Sequence, residues 1–229
     1  MKHKLLFTMF AFVGLICGST QAQQWQLQTT LGGNPALTSV KAVSRDVAWT
    51  CSGNGSVYRT IDGGKTWNPT TKVTNSEAIV SIEALDATTA FVTGGGPGYQ
   101  GGNAKIYRTT NGGQSWQVVY TAIGSGSSCN WIHFFDAQNG IAESDDWRNT
   151  GRGFLILKTS NGGTTWSPIA NLPQANTLEV VANNCFHFFD NLNGWFGTFR
   201  WNSNGSGGRV FRTTDGGNTW TGVASEIQQ

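Results

Sequence analysis

Past residue 30, short apolar runs alternate with short polar clusters along the whole chain, and outside the N-terminus the apolar positions follow no helical period. Four of the polar clusters are nearly the same phrase: RTIDGGKTW from Arg59, RTTNGGQSW from Arg108, KTSNGGTTW from Lys158 and RTTDGGNTW from Arg212. Each follows an apolar pair (Val57-Tyr58, Ile106-Tyr107, Ile156-Leu157, Val210-Phe211) and leads into another extended-looking segment. A β-favouring run, an Asp or Asn with two glycines, and a second run predict a hairpin. The acid or amide (Asp62, Asn111, Asn161, Asp215) can accept hydrogen bonds from backbone amides just downstream, and the glycines supply positive φ without a Cβ clash.

Each phrase has an earlier companion: SVKAVSRDVAW, SIEALDATTAF, WIHFFDAQNGI and CFHFFDNLNGW, which align as strand, turn, strand. Every unit therefore reads strand A, turn, strand B, loop, strand C, repeated turn, strand D. The tryptophans that close the phrases, Trp67, Trp116, Trp166 and Trp220, lie 49, 50 and 54 residues apart. A period near fifty with four strands per unit predicts an all-β propeller of four-stranded antiparallel blades. The blades fall at about 30–72, 73–121, 122–171 and 172–225. Residues 24–29, Gln24 to Thr29, read as a strand D with no blade before it. Two readings follow: four blades closing with a spare strand, or part of a longer propeller.

The phrase resembles the Asp-box, or BNR repeat, shared by sialidases, Asp-box xyloglucanases, sortilin-type receptors and the photosystem II stability/assembly factor family. Its doubled glycine is most similar to the assembly-factor-like group. The resemblance implies structural roles for the leading threonines (Thr60, Thr109, Thr159, Thr213), the acid or amide (Asp62, Asn111, Asn161, Asp215) and the second glycines (Gly64, Gly113, Gly163, Gly217). It implies the same for the hydroxyl residues before the tryptophan (Thr66, Ser115, Thr165, Thr219) and for Trp67, Trp116, Trp166 and Trp220. A calcium loop needs several carboxylates, and each phrase offers a single acid or amide. An amide cannot do acid–base work. The phrases are read as pins for the turns, and neither a metal nor a cofactor is expected.

Composition agrees with many short strands and tight turns: 31 glycines, 10 tryptophans and only 12% charged residues. Met1-Lys2-His3-Lys4, the apolar run from Leu5 to Ile16, and Thr20-Gln21-Ala22 read as a signal peptide over residues 1–22, leaving residues 23–229 as the propeller. Export to the periplasm or the extracellular space is therefore expected. Ile16 is bulky where a lipidation signal needs a small residue before Cys17. Loss of Lys2 and Lys4 from the 15 basic side chains brings them level with the 13 acidic ones. A neutral chain gives no bulk-charge reason to bind nucleic acid, and no later segment is apolar enough to insert in a membrane. Cys51, Cys129 and Cys185 fall in different units and read as small buried residues, with one disulfide open as an alternative.

Function is expected in what differs between blades. The B–C loops share the face opposite the repeated turns. They carry Tyr99 in blade 2, Asp145, Asp146, Trp147 and Arg148 beside Glu143 and Arg152 in blade 3, and Arg200, Trp201 and Asn202 in blade 4. Aromatic faces beside Arg, Asp and Asn suit a protein strand or a glycan. Lys41, Glu83, His133 and His187 hold one equivalent place on the four inner strands, where two histidines could meet a common ligand. The leading reading is a non-enzymatic binding, scaffold or assembly module. The alternative is an Asp-box glycoside hydrolase, sialidase-like or xyloglucanase-like, for which Asp145 or Asp146 with Glu83 is the carboxylate pair on offer. Inverting hydrolysis needs carboxylates roughly 6.5–9.5 Å apart.

Overall fold

A computed structural model describes residues 27–33, 35–95, 103–122, 127–146, 153–176, 179–200 and 207–222, with residues 127, 145 and 146 described by their backbone alone. Residues 1–22, read as a signal peptide, lie outside them. Sixteen strands run in chain order among the described residues. Blade 1 comprises β1 (Leu37–Ala42), β2 (Ala48–Ser52), β3 (Val57–Thr60) and β4 (Asn68–Pro69). Blade 2 comprises β5 (Ala78–Ala84), β6 (Ala90–Gly95), β7 (Lys105–Thr109) and β8 (Gln117–Thr121). Blade 3 comprises β9 (Ser127–Phe134), β10 (Gly140–Asp146), β11 (Leu155–Thr159) and β12 (Ser167–Pro168). Blade 4 comprises β13 (Glu179–Phe188), β14 (Gly194–Arg200), β15 (Val210–Thr213) and β16 (Thr221–Gly222). Each blade is an antiparallel meander, and the chain is an all-β propeller of four-stranded blades. A single pair, Gly95 opposite Ser128, laces β6 to β9 and joins the sheets of blades 2 and 3.

The core lies between blades rather than within them. Trp49, Cys51 and Val57 of blade 1 pack on Ile79, Ile82 and Val92 of blade 2. Phe91 and Ile106 of blade 2 pack on Ile132, Phe134 and Trp166 of blade 3. Trp131, Ile141 and Phe154 of blade 3 pack on Phe188, Phe196 and Phe211 of blade 4. A blade alone exposes two apolar faces, so burial comes from stacking blade on blade, as in other repeat proteins.

Three expectations need correction. Residues 27–31 form no strand, so the described part of the segment 24–29 does not pair as a strand D. Gln28 nevertheless lies over Gly64, the place that Thr70 of blade 1 takes over Gly113 of blade 2. Cys51 and Cys129 are buried, but Cys185 is exposed, because it falls on the outward face of the last blade; all three are free thiols. Glu143, Asp145 and Asp146 belong to strand β10 and Arg200 to strand β14, not to loops. In both blades the second strand runs to 7 residues, against 5 in blade 1.

Candidate functional site

The repeated turn closes on itself through one short network. In blade 1 the Thr60 hydroxyl donates to Asp62 Oδ1 (2.8 Å) and accepts from the Gly64 amide (2.9 Å). Asp62 Oδ1 accepts from the Thr66 amide (2.9 Å) and Oδ2 from the Thr66 hydroxyl (2.6 Å). Blade 4 repeats this with Thr213, Asp215, Gly217 and Thr219. In blades 2 and 3 the last bond reverses: Asn111 Nδ2 donates to Ser115 Oγ and Asn161 Nδ2 to Thr165 Oγ1, each at 2.8 Å. A hydroxyl both donates and accepts, which is why acid and amide are interchangeable here. The bonds from the Thr66 hydroxyl and amide and from Thr60 hold the Asp62 carboxyl down at about 2. Burial pushes Asp215 up, but Thr219 and Thr213 outweigh it and leave it below the ordinary carboxylate range. Carboxylates held this firmly ionised are poor proton donors at neutral pH.

On the axis, Glu83 is buried and reaches two other blades. Its Oε1 lies 2.7 Å from Lys41 Nζ of blade 1 and its Oε2 3.6 Å from His133 Nδ1 of blade 3. His133 stacks flat on Phe188 of blade 4 at 5.2 Å. His187 is exposed and alternates along β13 with Phe186 and Phe188, both of which meet the His133 ring, so the two histidines face opposite ways and do not converge as the sequence suggested. Among the described residues, no group of three or more His, Cys, Asp or Glu is placed to hold a metal ion. Nearer the loop face, a bulge between Val181 and Phe186 of β13 puts Asn184 at φ 55°. Asn184 Nδ2 donates there to the carbonyls of Val80 (2.8 Å) and Thr38 (3.2 Å), tying blade 4 to blades 2 and 1.

On the loop face, Tyr99, Trp147, Arg148 and Trp201 lie outside the described residues, and Asp145 and Asp146 are placed by their backbone. Asp145 pairs with Ser128 and Asp146 with Ser127, while Arg200 pairs with Glu179 across β13 and β14. Because Ser128 also pairs with Gly95, the roots of the blade 2 and blade 3 loops stand two strand spacings apart, about 10 Å. The carboxylate pairing of Asp145 with Glu83 fails on distance. Glu83 contacts His133, five residues along β9 from Ser128, which sets Asp145 about 17 Å away along the strand.

Sequence reasoning missed two acid–base clasps at the roots of this face. In blade 4, Arg209 Nε donates to Glu179 Oε1 at 2.9 Å, and the Thr198 hydroxyl and Asn176 amide also donate to this carboxylate. Burial raises the Glu179 carboxyl, but Arg209, Thr198 and Asn176 together hold it below the ordinary range. In blade 2, Lys105 and the Tyr107 hydroxyl hold Glu77 in the same way. The available signal was an acid where strand A begins and a base where strand C begins.

No protein-family profile matches the sequence, and no curated protein matches it. Solved structures match in fold. The GH93 alpha-L-arabinofuranosidase of Fusarium graminearum in complex with arabinobiose matches with a TM-score of 0.55 at 14% identity, over 86% of this chain and 68% of that one. The GH74 xyloglucanase from Xanthomonas campestris matches with a TM-score of 0.53 at 16% identity, over 78% of this chain. This chain spans only 28% of that enzyme. A structure of YCF48 bound to D1 peptide matches with a TM-score of 0.49 at 15% identity, over 86% of this chain and 84% of that one. At these identities the likeness shows the propeller fold alone.

Proposed function

We propose that the protein is an exported, non-enzymatic propeller that binds a protein or glycan ligand on its B–C loop face. The lateral pairing of Gly95, Ser128 and Asp145 carries this reading, because it sets the roots of the blade 2 and blade 3 loops side by side. On this reading Tyr99, Asp145, Asp146, Trp147, Arg148, Arg200 and Trp201 are the candidate ligand-binding residues. Clasping of the loop roots by Glu179–Arg209 and Glu77–Lys105 supports the same reading, since a binding surface gains from pre-organised supports. A second reading, glycoside hydrolysis, is favoured by the fold shared with the arabinofuranosidase and the xyloglucanase.

A glycan array and an envelope-extract pull-down, run beside a Trp147→Ala/Trp201→Ala double variant, test the proposal. Binding by the wild type that the double variant loses supports it. Ligand binding that persists in the double variant moves the site elsewhere. Turnover of fluorogenic glycosides by the purified wild type replaces it with the hydrolase.

A further inference from the structure

The junctions between successive blades share their first half. The first half is an apolar side chain on the second strand beside a base on the third: Trp49 with Arg59, Phe91 with Arg108, Ile141 with Lys158. The second half, on the next blade, differs in detail: Phe91 and Ile141 press on the second glycines Gly163 and Gly217, whereas Trp49 and Arg59 reach the A–B turn of blade 2. Trp49 Nε1 donates to the Asp86 carbonyl at 3.0 Å, and Arg59 donates to the Ala87 carbonyl. At the junction of blades 3 and 4 the base turns instead to the repeated turn: Lys158 Nζ donates to the Gly216 carbonyl at 3.0 Å and to Asn218 Oδ1 at 2.8 Å. Trp49, Phe91 and Ile141 are fully buried by these junctions.

Among the described residues, one copy of each half has no such partner. On blade 4 the Arg212 guanidinium sits 5.6 Å over the Trp195 ring, as Arg59 sits 5.3 Å over Trp49, yet Trp195 is 36% exposed with Phe189 and Leu192 open beside it. On blade 1, Leu37 and Val40 are 52% and 68% exposed, whereas their blade 2 counterparts Ile79 and Ile82 are 0% and 4%. A mostly apolar cavity of about 450 Å³ separates Leu37 and Val40 from Trp67. Open apolar faces of this kind mark interaction surfaces. Here the junction of blades 1 and 2 shows what each face accepts.

We infer that blade 4 of one copy seats head to tail on blade 1 of a second copy. The Trp195 indole donates to the Ser44 carbonyl and Arg212 to the Arg45 carbonyl, as Trp49 and Arg59 do to Asp86 and Ala87. The ring covers Leu37 and Val40, and the incoming blade displaces Gln28 from Gly64. Because the two faces differ, the contact is heterologous, and it leaves one free face at each end unless the ring closes.

Sedimentation of the full chain over a concentration series tests this, with Trp195→Asp and Val40→Asp each removing one face. The wild type is expected to reach at least twice the mass of one chain, each variant to stay monomeric, and their equimolar mixture to stop at two chains. Val118→Asp, on an exposed site of β8, is expected to behave as the wild type. Should Trp195→Asp fail to fold, as circular dichroism shows, Arg212→Glu carries the same face. A wild type that remains monomeric throughout, or face variants that associate as it does, overturns the inference.

Discussion

Replacing Gly163 by alanine adds one methyl to a position where the preceding blade leaves no room. The residue sits at φ 70°, and a Cβ there would lie 2.7 Å from Phe91 Cζ and 3.1 Å from Phe134 Cζ. Those rings stack on each other at 4.5 Å, so neither swings aside freely. The left-handed backbone alone costs about 1–2 kcal/mol for a residue with a Cβ. Forcing a methyl into a packed core adds about 1–3 kcal/mol, for a total of about 2–5 kcal/mol. Gly64 holds the same place in blade 1 at φ 84°, but its nearest neighbour would be Trp67 Nε1 at 3.6 Å. Gly64→Ala is therefore expected to cost only the backbone share, about 1–2 kcal/mol. Urea unfolding in dilute solution reads the difference as a shift in midpoint at constant slope. In a domain of this size each kcal/mol also moves Tm by about 2–4 °C. Equal losses from the two substitutions would refute the claim that the second glycine exists to admit the preceding blade.

Three further outcomes are expected. The Asp62 carboxyl, held at about 2 against its ordinary 3.8, contributes stability that is fully present above its unfolded value and is lost as pH falls through about 2. Asp62→Asn, which rebuilds the Asn111 arrangement, should flatten that part of the urea-midpoint profile between about pH 4 and pH 2; an unchanged profile would argue against the network. Glu179→Gln leaves Arg209 without its carboxylate in a buried place and should lower stability by about 3–5 kcal/mol, seen as a reduced urea midpoint. Burial pushes the Cys51 thiol up to about 11, so native-state alkylation read by mass spectrometry should mark Cys185 quickly and reach Cys51 and Cys129 only on unfolding.

Much of the propeller could be read from the residues, because each repeated turn writes its own boundary: two glycines at positive φ and a tryptophan set the ends of the third and fourth strands. What escaped the sequence lies where the repeat stops constraining the chain. The extensions of β10 to Asp146 and β14 to Arg200 sit beyond the last residue shared by all blades, and no periodic signal marks where pairing ends there. Asn184 is one of several polar residues in a ten-residue strand, and its bulge, which turns it toward the carbonyls of blades 1 and 2, gives it a role. Glu77 with Lys105 and Glu179 with Arg209 are 28 and 30 residues apart, so their pairing depends on the meander that brings strand A near strand C. Of the candidate loop residues, Asp145, Asp146 and Arg200 are anchored by strand pairing, while Tyr99, Trp147, Arg148 and Trp201 lie outside the described residues.

The two crossings of the axis have a consequence for how the blades hold together. Asn184 spans it near the loops, and the Lys41–Glu83–His133 bridge spans it nearer the repeated turns. One side chain at each level thus holds three blades together, Asn184 those numbered 4, 1 and 2 and Glu83 those numbered 2, 1 and 3. A substitution at either position should therefore loosen several blade contacts at once, not a single pair.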